Sequence, residues 1–300
     1  MLRQRTSVPG RLQHVDRKLI RTAFLIVNPI IVAGAFWNVN LANTALLWLP
    51  LFGIVSITVG GMLAMGWAKA QKLERPQVGS MFVAGAFSNM GNFGSLICFL
   101  YLGEGSLAFA AMFRLLEQLA YFTVCYPIAA RYGNERQAGD NPQLKVMKDP
   151  FVLANLAAIS IGGVLNATGW SRPEFFTSLN ELLVPIYTLL IMISVGMTVQ
   201  FTGVKKYWPM WSAIAWIKFI VLPIILVTTA WMTGIQHVEN GLLLQVVFLL
   251  STMPVANLAL IPPKLYGLDV RLASANWLTN NVIWLFLLPV TYYVVQVLVR

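Results

Sequence analysis

The chain has 300 residues, of which 58% are hydrophobic and only 11% charged, with a net charge of +10 and a mean hydropathy of +0.70. A typical soluble domain has about 45–50% apolar and about 25% charged residues, so the composition excludes a water-soluble globule and predicts an all-α polytopic membrane protein. Cys98 and Cys125 both lie in apolar runs and read as packing residues, not as a disulfide framework or metal site.

Residues 1–18 carry Arg3, Arg5, Arg11, Arg17 and Lys18 and no apolar core, so they read as a cytoplasmic basic tail without a cleavable signal peptide. Apolar segments follow at 19–37, 45–68, 78–102 and 107–130, the four helices of a first repeat over 19–130. Residues 131–149 form a polar linker. Five more segments, at 150–168, 175–200, 207–233, 240–263 and 272–299, make up a second unit over 150–300. Each is near or above the ~20 residues that cross ~30 Å of hydrocarbon. Asn28-Pro29 and Pro185 predict mid-span kinks.

The basic residues test this count, because cytoplasmic loops carry the excess of Lys and Arg. Seventeen of the 21 fall on the side of the tail, and two, Arg172 and Arg300, on the other. Arg114 and Lys218 fall inside spans. The alternation predicts nine transmembrane helices with the N-terminus inside and the C-terminus outside, and it assigns the net positive charge to bilayer orientation, with no nucleic-acid partner.

Two stretches break the apolar pattern at mid-span: Phe87-Ser88-Asn89-Met90-Gly91-Asn92-Phe93-Gly94 and Ser251-Thr252-Met253-Pro254-Val255-Ala256-Asn257. Irregular backbone at membrane depth is tolerated only where it is buried in protein or lines a cavity, and paired interruptions in two halves point to a transporter substrate site. An offset of 165 residues sets Asn92 on Asn257 and Asn89 on Pro254, so helices 1–4 repeat as helices 6–9. A linker on one side, with one unpaired helix after it, gives the repeats opposite orientation.

The chain resembles the auxin efflux carrier (PIN-like) family of the wider bile acid and auxin carrier superfamily. The residues that carry the resemblance are Ser88 to Gly94, Leu183-Val184-Pro185-Ile186, Ser194-Val195-Gly196-Met197, Lys218 to Pro223, and Met253 to Asn257. The resemblance implies ten helices in inverted repeats, with two broken helices crossing at the substrate site, and a homodimer surface on the scaffold. It implies that the first family helix is replaced here by the basic tail. It also implies an elevator-type carrier of a small carboxylate in the cytoplasmic membrane, with Asn92 and Asn257, and less directly Asn89 and Pro254, at the substrate.

Amide groups at a helix break can donate to a carboxylate, and the positive end of a half-helix favours an anion. The plainer use of such amides is interhelical hydrogen bonding. Arg114 and Glu117, three apart on one helix, are expected either to pair or to mark a functional path. Lys218, too deep to snorkel, is expected to pair with Glu117 or Glu181 or to attract an anion. Ser88 to Gly94 and Met253 to Asn257 contain no acid, so an ion-coupling site is not evident; this leaves open a uniport or an efflux driven by the membrane potential, with proton coupling through Glu117 as the weaker alternative. No cofactor or metal is expected. An enzyme is disfavoured, since His14 and His237 lie outside the spans and no HExxH or G-x-S-x-G pattern occurs. The alternatives are a sodium-coupled symporter of the bile acid type and a non-transporting membrane scaffold or sensor.

Overall fold

The computed structural model of the protein describes residues 22–38, 44–133, 150–196 and 204–298. The expected basic tail, nearly all of the 131–149 linker, and Met197 of the family motif lie outside these residues. The helices are α1 (Asn28–Trp37), α2 (Trp48–Ala70), α3 (Arg75–Ala86), α4 (Ser95–Leu102), α5 (Ser106–Phe113), α6 (Glu117–Ala120) and α7 (Tyr126–Tyr132). The second half adds α8 (Pro150–Ala167), α9 (Phe175–Gly196), α10 (Trp208–Trp216), α11 (Leu222–Met232), α12 (Leu242–Ser251), α13 (Ile261–Tyr266) and α14 (Val270–Val297). Among the described residues the only β-structure is an isolated antiparallel bridge between Ser88 and Val255.

Among the described residues, four helical stretches are long and apolar enough to cross a membrane: Trp48–Ala70, Ser106–Tyr132, Trp208–Met232 and Val270–Val297. Their outer faces carry large apolar side chains, such as Trp216, Ile224, Met232 and Phe286, that are 61–83% exposed. A surface this apolar suits lipid and not water. The predicted third and eighth spans are each split in two, α3 with α4 and α12 with α13.

Among the described residues, besides the π-turn Met90–Gly94 at the first break, three helices widen for one turn, at Ala23–Val27, Tyr121–Cys125 and Ile217–Val221. In each case a proline follows six residues after the turn begins: Pro29, Pro127 and Pro223. Proline lacks the N–H for the ladder and clashes with the carbonyl four residues back, and a π-turn is one way a continuous helix absorbs the misfit. The kink expected at Pro29 takes this form, while α9 runs through Pro185.

Two glycines set how closely the first half-helix approaches its neighbour. A Cβ built on Gly85 in α3 would lie 2.3 Å from the Gly60 carbonyl oxygen of α2, and one on Gly60 would lie 2.5 Å from the Gly85 oxygen. Backbone meets backbone there, so neither side can move aside. Gly85→Ala should therefore destabilise the protein by about 1–3 kcal/mol, the usual cost of overpacking. Gly66→Ala, on the same helix α2 but with open space around it, should be neutral or stabilising by about 0.5–1 kcal/mol. Thermal unfolding of the two variants in detergent separates these outcomes.

At the other end of the first broken helix, Glu104 follows the left-handed Gly103 and reaches into the second half. It accepts hydrogen bonds from Arg172 and from Asn180 Nδ2 (2.9 Å), and Arg172 also donates to the Gly34 carbonyl of α1 (3.3 Å). Burial pushes the Glu104 carboxyl up, but the hydrogen bonds and charge of Arg172 with the Asn180 amide outweigh it and hold the group below its ordinary value. A depressed carboxyl contributes stability above its unfolded value and loses it as pH falls through the folded one. Glu104→Gln should therefore lower the unfolding midpoint near neutral pH and shrink the midpoint drop between about pH 6 and pH 3, read by thermal melts across that range.

Candidate functional site

The site begins with the two interruptions. Helix α3 ends where Phe87 N–H makes the last ladder bond, to Val83 O at 3.0 Å. The next two amides would have continued onto Ala84 O and Gly85 O. Instead, Ser88 N–H donates to Tyr121 Oη at 3.0 Å and Asn89 N–H to Pro254 O at 2.8 Å. From the other side, Ala256 N–H donates to Phe87 O at 3.1 Å. These two backbone bonds flank Ser88 and Val255, the geometry of a non-hydrogen-bonded antiparallel pair. The broken segments thus satisfy one another where neither helix can.

The remaining freed groups are met from the flanking helices. Val255 O accepts from Asn281 Nδ2 of α14 at 3.0 Å. Tyr121 Oη, besides its bond to Ser88 N–H, donates to Glu117 Oε1 at 3.1 Å, and the Tyr121 ring stacks on Phe87 with centroids 4.0 Å apart. Glu117 Oε2 is paired with Arg114 Nε at 3.0 Å, with both side chains at most 10% exposed. The pair expected from the sequence therefore forms. It also reaches the break, because a Cβ on Gly91 would lie 2.5 Å from Arg114 Nη2. Only a glycine lets the guanidinium lie on that turn.

Lys218 corrects an expectation. Its partners are neither Glu117, whose oxygens are engaged by Arg114 and Tyr121, nor Glu181, which is exposed. The fully buried Nζ donates to Ser88 Oγ at 2.7 Å and to Gly85 O at 3.1 Å, the carbonyl that lost its ladder partner when Asn89 N–H turned away. Both Lys218 and Tyr121 sit in the proline-induced π-turns, which shift the register of their helices next to the break. Pro127, six residues after Tyr121, and Pro223, five after Lys218, were the available sequence signals for these turns, but they marked the turns and not the tyrosine hydroxyl.

Of the four expected substrate residues, three are brought to the crossover. Asn89 is 3% exposed and its Nδ2 has no hydrogen-bond partner among the described residues. Asn257 accepts Trp277 Nε1–H at 2.7 Å through Oδ1; an indole only donates, so this bond fixes the amide and leaves Nδ2 as a donor. Pro254 contributes its carbonyl to the backbone pairing. Asn92 lies in the turn Met90–Gly94, with its side chain outside what is described. Beside the second break a cavity of about 140 Å³ is lined by Phe219, Phe248, Thr252 and Trp284, and Trp284 stacks on Phe93 at 4.8 Å. Residues on the two sides of the crossover belong to different apolar clusters, Phe87 and Val255 to one, Met90 and Met253 to the other. The polar groups lie where the two clusters meet.

Tyr121→Phe keeps the stack on Phe87 and removes the hydroxyl, which leaves the buried Ser88 N–H without its acceptor. Stability should fall by about 1–3 kcal/mol, the cost of an unsatisfied buried polar group, against less than about 1 kcal/mol if the hydroxyl were incidental. Chemical or thermal unfolding in detergent reads the difference.

No family model matches the chain. Over 290 residues, 94% of the chain, it is 23% identical to an uncharacterized transporter of Methanothermobacter thermautotrophicus, covering 90% of that protein. Over 216 residues, 70% of the chain, it is 28% identical to an uncharacterized transporter of Methanocaldococcus jannaschii, of which it spans 66%. With its long apolar helices and lipid-suited surface, the chain is a helical membrane protein related to transporters.

Proposed function

We propose that the protein is a secondary transporter of the auxin efflux carrier type that moves a small organic anion, a carboxylate, across the cytoplasmic membrane. In this reading the chain crosses the bilayer nine times in two inverted repeats, and the unit containing the crossed breaks moves against the remaining helices in an elevator-like cycle. A homodimer would steady the stationary part.

The observation that carries the substrate class is the balance of donors at the crossover. Asn89 offers a buried NH₂ without an acceptor among the described residues, and Asn257 offers an NH₂ whose direction is set by Trp277. Unpaired buried donors are costly unless something accepts from them, and a carboxylate has about four acceptor sites. The charge agrees: the ionisable groups bonded into the crossover are Arg114, Lys218 and Glu117, formally one positive charge in excess. In a site of low dielectric such an excess favours an anion.

Flux of radiolabelled mono- and dicarboxylates into proteoliposomes tests this. Wild type should take up at least one of them, and Asn89→Ala and Asn257→Ala should each lower its apparent affinity about tenfold, the ~1.4 kcal/mol of one good hydrogen bond to a charge. Equal flux in wild type and both variants, or none in wild type for either class, would remove the carboxylate reading.

A further inference from the structure

The position of Lys218 has a chemical meaning beyond packing. In carriers with broken helices, freed carbonyls and the C-terminal ends of half-helices commonly coordinate a monovalent cation. The corresponding place in the first broken helix is the end of α3, where Gly85 O has lost its ladder donor and the partial negative charge of the half-helix collects. That place is filled from within the chain. Lys218 Nζ lies 3.1 Å from Gly85 O and 2.7 Å from Ser88 Oγ, and the side chain is 0% exposed. Neither oxygen of Glu117 is given to it, as both are bonded to Arg114 and Tyr121.

We propose that Lys218 is a tethered substitute for a coupling cation: its ammonium occupies the cation position at the end of α3, so this crossover takes no sodium ion. The stem enters from the π-turn ahead of Pro223, so the helix distortion is what delivers the charge to this point. Removing the side chain back to Cβ leaves Gly85 O and Ser88 Oγ facing an ammonium-sized space that a small free cation can enter. Geometry at the break carries this inference; it does not depend on which solute the protein moves.

The test uses the purified full-length protein in detergent and reads thermal unfolding in equal concentrations of choline chloride, sodium chloride and methylammonium chloride. Wild type should unfold at the same midpoint in all three salts. Lys218→Ala should unfold earlier in choline and be raised by methylammonium by roughly 2–4 °C, the shift that corresponds to recovering about one tenfold step in stability for a chain of this order of size. Lys218→Met, whose longer stem fills the space without a charge, should show no such recovery. Should Lys218→Ala yield no folded protein in choline, folded yield with methylammonium present from solubilisation onward is compared with the yield in choline, and recovery with the amine alone supports the proposal. A sodium-specific rise in the wild-type midpoint overturns it, as does an alanine variant that behaves alike in methylammonium and choline or is recovered in neither. None of these readouts involves carboxylate flux, so failure of the substrate reading and failure of the tethered-cation proposal are separate results.

Discussion

Backbone amides in hydrocarbon have no water to turn to, and at the centre of this molecule two helices stop being helices. What makes that tolerable is the reciprocal bonding of Asn89 N–H to Pro254 O and Ala256 N–H to Phe87 O. Each break supplies backbone partners that the other lacks, and this joins the first and second halves of the chain at the crossover. The neighbouring helices are then constrained in detail. One must place a hydroxyl at Ser88 N–H, another an amide at Val255 O and a third an ammonium at Gly85 O. Gly60 and Gly85 bring α2 against α3, so that little but backbone separates them.

Pairing by backbone has a functional corollary. Because main chain satisfies main chain, the side chains of Asn89 and Asn257 are not consumed in holding the breaks together. The Asn89 amide nitrogen is left without a partner among the described residues, and that of Asn257 is left as an oriented donor. The same separation of duties applies to charge. Glu117 neutralises Arg114, while Lys218 is compensated by a hydroxyl, a carbonyl and the negative end of a half-helix. The crossover therefore keeps a positive character without an uncompensated ion, which would cost several kcal/mol at such depth.

Much of this was legible in the amino-acid order, and what was not has a physical reason. The breaks could be placed because Ser, Asn and Gly in the middle of an apolar run contradict a lipid-facing helix. Their mutual contact was foreshadowed by the 165-residue offset between Asn89 and Pro254, the two residues that the structure joins by a hydrogen bond. Arg114 and Glu117 were readable as a pair because helical spacing dictates it. The partner of Lys218 was not, since pairing rules look for a carboxylate and the acceptors here are a hydroxyl and a carbonyl left over from an interrupted ladder, and every residue has a carbonyl. Tyr121 stood out in no pattern because a tyrosine in an apolar helix is ordinary; its role depends on the π-turn ahead of Pro127. The single indole bond that orients Asn257 joins residues twenty apart on different helices and follows from packing alone.

The two breaks cross with Ser88 against Val255. In a non-hydrogen-bonded antiparallel pair the Cα atoms are about 4.5 Å apart, within reach of a disulfide. Cysteines at both positions, in a chain whose Cys98 and Cys125 are replaced by alanine and which carries a protease site between residues 134 and 149, should cross-link on mild oxidation with a membrane-permeant oxidant. After cleavage the two halves should migrate as one band that separates only on reduction. Halves that come apart without reductant, while each single-cysteine control is folded and labelled, would contradict the crossing.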